Sequence, residues 1–283
     1  MSGTGQSRSP GVTVAAFYKF VSIDDAPELR EKLVELSTRL AIKGTILLAE
    51  EGINATVSGD GSAIALLLAE LRRDARFGDL AVKFSYSSAP PFHRLKVKIK
   101  REIVTFGVPE AKPSIATGTY VEPEDWNALI SDPGVLIIDT RNAYEFEVGT
   151  FEGAQNPGTR AFREFPDYVA AALADDRERK IAMFCTGGIR CEKASAFLLR
   201  EGFTRVYQLN GGILNYLERI APGHSMWRGE CFVFDARVAL GHGVVPGHFT
   251  LCARCGHPIK QEGGENGTAF CGQCRQNASA TVV

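Results

Sequence analysis

Three short apolar segments constrain the fold of this chain most strongly. They are VLIID (135–139), KIAMF (180–184) and VYQL (206–209), and helical stretches lie between them. Apolar runs of this length are typical of strands buried on both faces of a parallel sheet, and alternating strands and helices indicate an open α/β sheet. Functional residues in such sheets lie at the carboxyl ends of the strands. Cys185 directly follows KIAMF and therefore occupies such a position.

A different pattern precedes this sheet. From Val12 to about Val108, strand-like and helix-like segments follow the order βαββαβ, the split βαβ pattern of ferredoxin-like domains. The first helix carries one apolar stripe of leucines spaced three or four residues apart: Leu29, Leu33, Leu36 and Leu40. The segment AKPSIATGTY (111–120) lacks bulky apolar residues and is interpreted as a linker.

The predicted fold class is therefore α/β, in three parts. We expect a ferredoxin-like domain in residues 1–110, an α/β domain with a parallel sheet in 121–225, and a cysteine-bearing extension in 226–283. No stretch resembles a secretory signal or a membrane span, so we expect a cytoplasmic protein. The net charge of −1 means that any polyanion would have to bind a local basic patch.

The segment after KIAMF has the features of an anion-binding loop. It reads Cys185-Thr186-Gly187-Gly188-Ile189-Arg190 and leads into a helix. The two glycines allow backbone angles that point successive N–H groups at the cysteine sulfur. These donors, the positive end of the helix and Arg190 lower the pKa of Cys185. The loop thus predicts a nucleophilic thiolate, in preference to a cysteine that merely packs at a strand end.

The length of the loop indicates which group it can hold, and the other cysteines each have their own interpretation. Four residues separate Cys185 from Arg190, one fewer than in the cysteine phosphatases, so the ring suits a persulfide better than a phosphate. Cys191 follows in the first turn of the helix, where it is either a resolving thiol or, as we favour, a residue facing the sheet. Cys231 is interpreted as structural.

Basic and apolar residues alternate in Leu95-Lys96-Val97-Lys98-Ile99-Lys100, so a strand would place its lysines on one face. Arg94 and Arg101 flank this segment, and Phe92 and His93 precede it. Such a face can bind RNA phosphates, with stacking from the aromatic residues, or it can simply protect a sheet edge.

The C-terminal cysteines form two CxxC pairs separated by 15 residues: Cys252, Cys255, Cys271 and Cys274. This spacing predicts a zinc-ribbon-like tail in which four thiolates fill the tetrahedral shell of a structural zinc ion. Redox-active thiols or an iron–sulfur site are the alternative. His257 is interpreted as a bystander.

The loop, the upstream segment IIDTRNAYEFEVGTFEGAQNPGT and the downstream segment VYQLNGGILNYL resemble a rhodanese domain. In that family the upstream segment carries supporting positions, here Asp139 and Arg141, and the downstream segment carries a closing Gly-Gly turn. Four further segments, KVKIKREIVTFG, EGINATVSG, CTGGIRCEKASAFL and GECFVFDARVAL, resemble the bacterial rhodanese-like tRNA uridine(34) 5-hydroxylases, the TrhO family.

The resemblance implies oxygen-dependent 5-hydroxylation of the wobble uridine, with tRNA as partner, dioxygen as cosubstrate and Cys185 and Arg190 as catalytic residues. It also implies that Cys185 can carry a persulfide. The residues alone explain sulfur or acyl chemistry but not hydroxylation at C5, and no flavin or nicotinamide site is evident. A sulfurtransferase and a noncatalytic RNA-binding protein therefore stay open as alternatives, as does the oligomeric state.

Overall fold

The structure, a computed structural model, describes residues 11–174, 176–261 and 269–279, with the backbone alone for 276–279. The chain divides into two compact units, the first ending at Ile103 and the second beginning at Val104. No helix of the described residues is long and apolar enough to cross a membrane.

The first unit contains five strands and two α-helices among its described residues. In chain order they are β1 (Val12–Phe20), α1 (Ala26–Arg39), β2 (Lys43–Ala49), β3 (Gly52–Gly59), α2 (Gly61–Arg73), β4 (Val82–Ser87) and β5 (Leu95–Ile99). Helix α1 has a proline in its first turn, and the Asp60 side chain accepts a hydrogen bond from the Ser62 N–H at the start of α2.

The sheet of the first unit has the strand order β4-β1-β3-β2-β5. Strands β1 to β4 pair antiparallel in the ferredoxin-like order, and β5 adds a parallel edge beside β2. The predicted leucine stripe lies against the core, with Leu29 and Leu33 buried and Leu36 and Leu40 partly buried. The ferredoxin-like prediction is therefore confirmed.

The second unit begins with the elements of an α/β domain. They are β6 (Thr119–Val121), α3 (Pro123–Ile130), β7 (Val135–Asp139), α4 (Ala143–Val148), β8 (Gly149–Phe151), α5 (Phe165–Ala172), β9 (Lys180–Phe184), α6 (Ile189–Arg200), β10 (Val206–Leu209) and α7 (Gly212–Arg219). Four of the strands form a parallel sheet in the order β6-β10-β9-β7. Every residue of β7 is buried, as the apolar run predicts.

The segment interpreted as a linker packs on the second unit instead. Ala111 is buried in the core of that unit, as is Phe106, whose ring lies 4.8 Å from that of Phe162. The Gly118 N–H donates to Ser195 Oγ at 2.9 Å. Gly118, one of the small residues that resemble a linker in the sequence, fits closely against α6. A Cβ at this position would lie 3.0 Å from the Cβ of Ser195.

Short elements complete the second unit: β11 (Trp227–Gly229), β12 (Cys231–Phe232), β13 (Ala239–Leu240), β14 (Phe249–Leu251), β15 (Pro258–Lys260) and α8 (Gly272–Ser279). Strand β11 pairs with β8, and β14 pairs with β15 as a hairpin.

Candidate functional site

Cys185 lies at the carboxyl end of β9, in the loop that enters α6. Gly188 adopts a φ of 104°, a left-handed conformation that favours glycine, and its N–H points at the Cys185 sulfur at 3.1 Å. The backbone N–H groups of Arg190 and Cys191 also donate to this sulfur. The loop therefore forms the nest of donors that the two glycines predict.

These donors decide the ionisation of Cys185. Full burial by itself would raise the pKa of the thiol, but the hydrogen bond from the Cys191 thiol, the charge of Arg190 and the backbone donors together lower it to about 5. At neutral pH the sulfur is thus a thiolate, the form of cysteine that acts as a nucleophile.

Cys191 is the second thiol of this site. It is fully buried in the same apolar cluster as Cys185, and its Sγ lies 3.5 Å from Thr140 Oγ1. Burial and the neighbouring Cys185 raise its pKa well above the usual value, so it stays protonated. Cys191 packs in the cluster that includes the sheet residues Ile138 and Met183, and it contacts the reactive sulfur as well.

Arg190 is held by a carboxylate that the sequence analysis did not single out. Its Nη1 lies 2.6 Å from Glu145 Oε1 and its Nη2 lies 2.9 Å from Oε2, and both side chains are buried. Burial raises the pKa of Glu145, but the charge and hydrogen bonds of Arg190, the charge of Arg141 and the Asn142 N–H together outweigh it and lower the pKa below 4.5. Thr186 bridges the pair, with its Oγ1 3.3 Å from Arg190 Nη2.

Asp139 and Arg141 form a second buried ion pair behind the loop. Arg141 donates to both carboxylate oxygens, at 2.9 and 2.6 Å, and to the Gly149 carbonyl at 2.5 Å. Its guanidinium lies 5.2 Å from the ring of Trp227. The pair joins the ends of β7 and α4.

The Gly-Gly turn closes the loop from the other side. The N–H groups of Ile213 and Leu214, at the start of α7, donate to the carbonyls of Cys185 and Thr186 at 2.9 and 3.1 Å. A Cβ on Gly212 would lie 2.5 Å from the Cys185 carbonyl oxygen, so this approach requires glycine. The remaining loop residues, Gly187 and Ile189, are half-buried.

Strand β5 lies at the edge of the first unit's sheet and carries the predicted basic face. Val97 is buried opposite Ile46, whereas Lys96 and Lys98 pair with Thr45 and Leu47. Alternate residues of a strand share a face, so Lys96 and Lys98 lie together on the face opposite to the core. Lys100 follows directly after the strand, and its N–H donates to the Leu48 carbonyl at 2.8 Å. The flanking Arg94 and Arg101 are exposed.

The four tail cysteines converge. Their sulfur atoms all lie within 4.8 Å of one another, and those of Cys255 and Cys271 are 3.6 Å apart. The β14–β15 hairpin carries the first pair, and the second pair lies at the start of α8. His257 instead contacts Glu147 of α4, at 3.2 Å. The cluster can hold one metal ion.

Comparisons with known proteins cover both units. The family model "UPF0176 acylphosphatase like domain" matches residues 12–103, and "Rhodanese-like domain" matches 122–219. Three bacterial relatives bear the name tRNA uridine(34) hydroxylase. The Picosynechococcus sp. protein is 53% identical over 249 residues, which are 88% of this chain and 84% of the relative. The Teredinibacter turnerae protein is 54% identical over 88% of this chain and 77% of its own length. The Synechocystis sp. protein is 52% identical over 87% and 89%.

The chain belongs to the tRNA uridine(34) hydroxylase family. The resemblance inferred from sequence is thus confirmed, together with its rhodanese domain.

In this family member the structure brings the predicted loop residues together around one sulfur atom and adds Glu145 to them. Glu145 lies in the segment AYEFEV, where an acidic residue looks like one of several exposed helix positions. Its partner Arg190 is 45 residues away in the chain. A buried salt bridge at that separation leaves no periodic signal, although Glu145 does occupy the third position of a capping-box pattern that starts at Asn142.

Proposed function

We propose that this chain hydroxylates uridine 34 of tRNA at C5, with dioxygen as the oxidant and Cys185 as the reacting group. The observation that carries the proposal is the combination of about 53% identity to tRNA uridine(34) hydroxylases with an ionised thiol in the rhodanese loop. We place the reaction in the cytoplasm, where tRNA is modified.

The chemistry of the loop supports Cys185 in this role. A thiolate adds readily to an electron-poor double bond, and C6 of uracil is the electrophilic end of such a bond. The donors around the sulfur stabilise the thiolate in the resting state and orient it. Arg190 contributes positive charge nearby and is kept in place by Glu145.

We propose that the basic face of β5 binds the phosphates of the tRNA. Lys98 and Lys100 are exposed, and Lys96 is half-buried on the same face as Lys98. The face thus presents several positive charges on a chain whose net charge is only −1, which provides the local patch that a polyanion requires.

We propose that the tail cysteines hold zinc. Tetrahedral zinc with thiolate ligands at about 2.3 Å places its sulfurs about 3.8 Å apart, which the spacing of 3.6 Å between Cys255 and Cys271 fits. Four thiolates fill the coordination shell, so the ion would organise the tail rather than bind substrate.

The test is nucleoside analysis of bulk tRNA by mass spectrometry. We expect a strain that lacks the gene to lose 5-hydroxyuridine and its derivatives, and a wild-type copy to restore them. A Cys185→Ala copy should fail to do so, whereas a Glu152→Gln copy, which alters an exposed pair with Arg228, should succeed. Unchanged nucleoside profiles in the deletion strain would refute the proposal.

A further inference from the structure

The candidate site contains two thiols in contact, although a single nucleophile needs only one. Cys185 and Cys191 belong to one apolar cluster, are both fully buried, and are joined by a hydrogen bond from the Cys191 thiol to the Cys185 sulfur. The chain fixes their relation, because Cys191 lies in the first turn of α6 and its backbone N–H also donates to Cys185. A disulfide between them requires the two sulfurs to approach from hydrogen-bonding distance to about 2.05 Å.

Other contacts hold Cys191 in this place. Thr140 lies 3.5 Å from its sulfur, and the Thr140 hydroxyl and N–H both donate to the carbonyl of Phe184, the residue before Cys185. Thr140 thus ties Cys191 to the strand that carries the reactive thiol. The third buried thiol, Cys231, packs in a different cluster, where its sulfur contacts the Phe232 carbonyl at 3.7 Å, and it also hydrogen-bonds Thr186 of the loop.

The proposed reaction requires two electrons from a donor other than uridine. Insertion of one oxygen atom of O2 into the C5–H bond leaves the second oxygen atom to be reduced to water. Oxidation of two thiols to a disulfide releases two electrons and two protons, which is what the second oxygen atom needs. The stoichiometry of the dithiol therefore matches the reaction.

We propose that Cys185 and Cys191 form a catalytic redox pair that reduces the second oxygen atom of O2 and closes to a disulfide in each turnover. This inference rests on the proposed function. A dithiol reductant from solution then reopens the disulfide for the next turnover.

The steps balance as follows. The Cys185 thiolate adds to C6 of uracil, and the carbanion formed at C5 takes up O2 and a proton to give a C5 hydroperoxide. The Cys191 sulfur attacks the outer oxygen, the O–O bond breaks, and C5 keeps a hydroxyl group while Cys191 becomes a sulfenic acid. C5 then loses its proton and the C6–S bond breaks, which releases 5-hydroxyuridine and the Cys185 thiolate. This thiolate attacks the Cys191 sulfur and expels hydroxide, which is protonated to water.

The protonation states of the two thiols suit these roles. Cys185 must be ionised to add to C6, and the pKa of about 5 provides this. Cys191 must stay protonated until the hydroperoxide has formed, and burial beside Cys185 raises its pKa. The two environments differ enough to assign one role to each sulfur.

A single-turnover experiment tests the proposal. Full-length protein is reduced, freed of reductant under anaerobic conditions, mixed with a tRNA transcript and O2, and quenched with N-ethylmaleimide. We expect one 5-hydroxyuridine and one Cys185–Cys191 disulfide per chain, after which the reaction stops until dithiothreitol is added. Nucleoside and peptide mass spectrometry measure the two products.

Two variants separate the redox role from hydrogen bonding. Cys191→Ser retains a hydroxyl donor beside Cys185 but supplies no electrons, so single-turnover product should fall about tenfold or more. Glu152→Gln, which alters an exposed pair with Arg228, is the control and should retain the wild-type yield and the disulfide. A wild-type yield from folded Cys191→Ser protein would overturn the inference.

The wild-type protein alone also decides the question, should Cys191→Ser fail to fold. Formation of 5-hydroxyuridine by reduced wild-type protein without the Cys185–Cys191 disulfide would overturn the redox pair and leave the proposed function intact. Absence of 5-hydroxyuridine under all conditions, including with dithiothreitol, would instead overturn the proposed function.

Discussion

The Glu145–Arg190 pair gives the most quantitative prediction for the site. Glu145 is fully buried and Arg190 is nearly so, and the two are joined by bonds of 2.6 and 2.9 Å. Removing one partner of a buried pair leaves the other charge unpaired, which typically costs 3–5 kcal/mol. Glu145→Gln retains the shape and one acceptor oxygen, so we expect the free energy of unfolding of the second unit to fall by about 3 kcal/mol.

Tryptophan fluorescence is a suitable readout because both tryptophans, Trp126 and Trp227, are buried in the second unit. Urea titrations that are followed by tryptophan fluorescence report the unfolding of the second unit, even if the whole chain does not unfold in one step. In thermal unfolding, the same loss corresponds to a fall in Tm of about 6–12 °C for a unit of this size.

A matched control and a pH series complete the test. Glu152→Gln removes the same charge from an exposed pair with Arg228, at 2.8 Å, and should cost less than about 1 kcal/mol. The pKa of Glu145 is lowered in the folded state, so its contribution is present above the unfolded-state value of 4.5 and is lost as pH falls through the folded-state pKa. Equal losses for Glu145→Gln and Glu152→Gln at neutral pH would refute this reasoning.

Three further predictions concern the thiolate, the basic face and the tail. Alkylation of Cys185 by iodoacetamide should reach half its maximal rate near pH 5. Cys191→Ala should move this midpoint to higher pH because it removes the thiol that donates to the Cys185 sulfur. An unchanged midpoint would contradict this hydrogen bond. Replacing the three lysines of the β5 segment by Gln should weaken tRNA binding and reduce the slope of log affinity against log salt concentration by about two to three. The controls are three basic residues on the helices, Lys32, Arg39 and Arg73, and equal effects from replacing them would argue against the β5 face. Metal analysis should find one zinc per chain, lost in Cys252→Ser and Cys271→Ser proteins; a metal-free wild-type protein contradicts the zinc site.

Much of the fold could be predicted because its signals are local. The run VLIID becomes β7, and the leucine stripe of α1 faces the core, since apolar pattern and burial are directly linked. The Cys185 loop is equally predictable from sequence, because Gly188 directs its N–H at the sulfur through its own backbone angle. The packing of segment 111–120 could not be predicted in this way. Its small residues indicate flexibility in the sequence, but they fit a close contact in the structure.

The candidate site shows the same division between local and long-range information. Cys185 and Arg190 share one loop, whereas Glu145, which orients Arg190, and Thr140, which contacts Cys191, come from the neighbouring strand end and helix. Such partners meet because β7 and β9 are adjacent in the parallel sheet. A single sequence contains no record of that adjacency at the level of individual side chains.

The charges of the site explain why the local donors around Cys185 matter so much. Each arginine is paired with a carboxylate, Arg141 with Asp139 and Arg190 with Glu145, and this pairing offsets part of the arginines' positive charge at the loop. The thiolate is therefore stabilised mainly by directed donors, and the Cys191 thiol lowers the Cys185 pKa more than the charge of Arg190 does. The thiolate itself repels a second anion beside it, whereas an uncharged uracil base meets no such repulsion, and this difference is consistent with the proposed substrate.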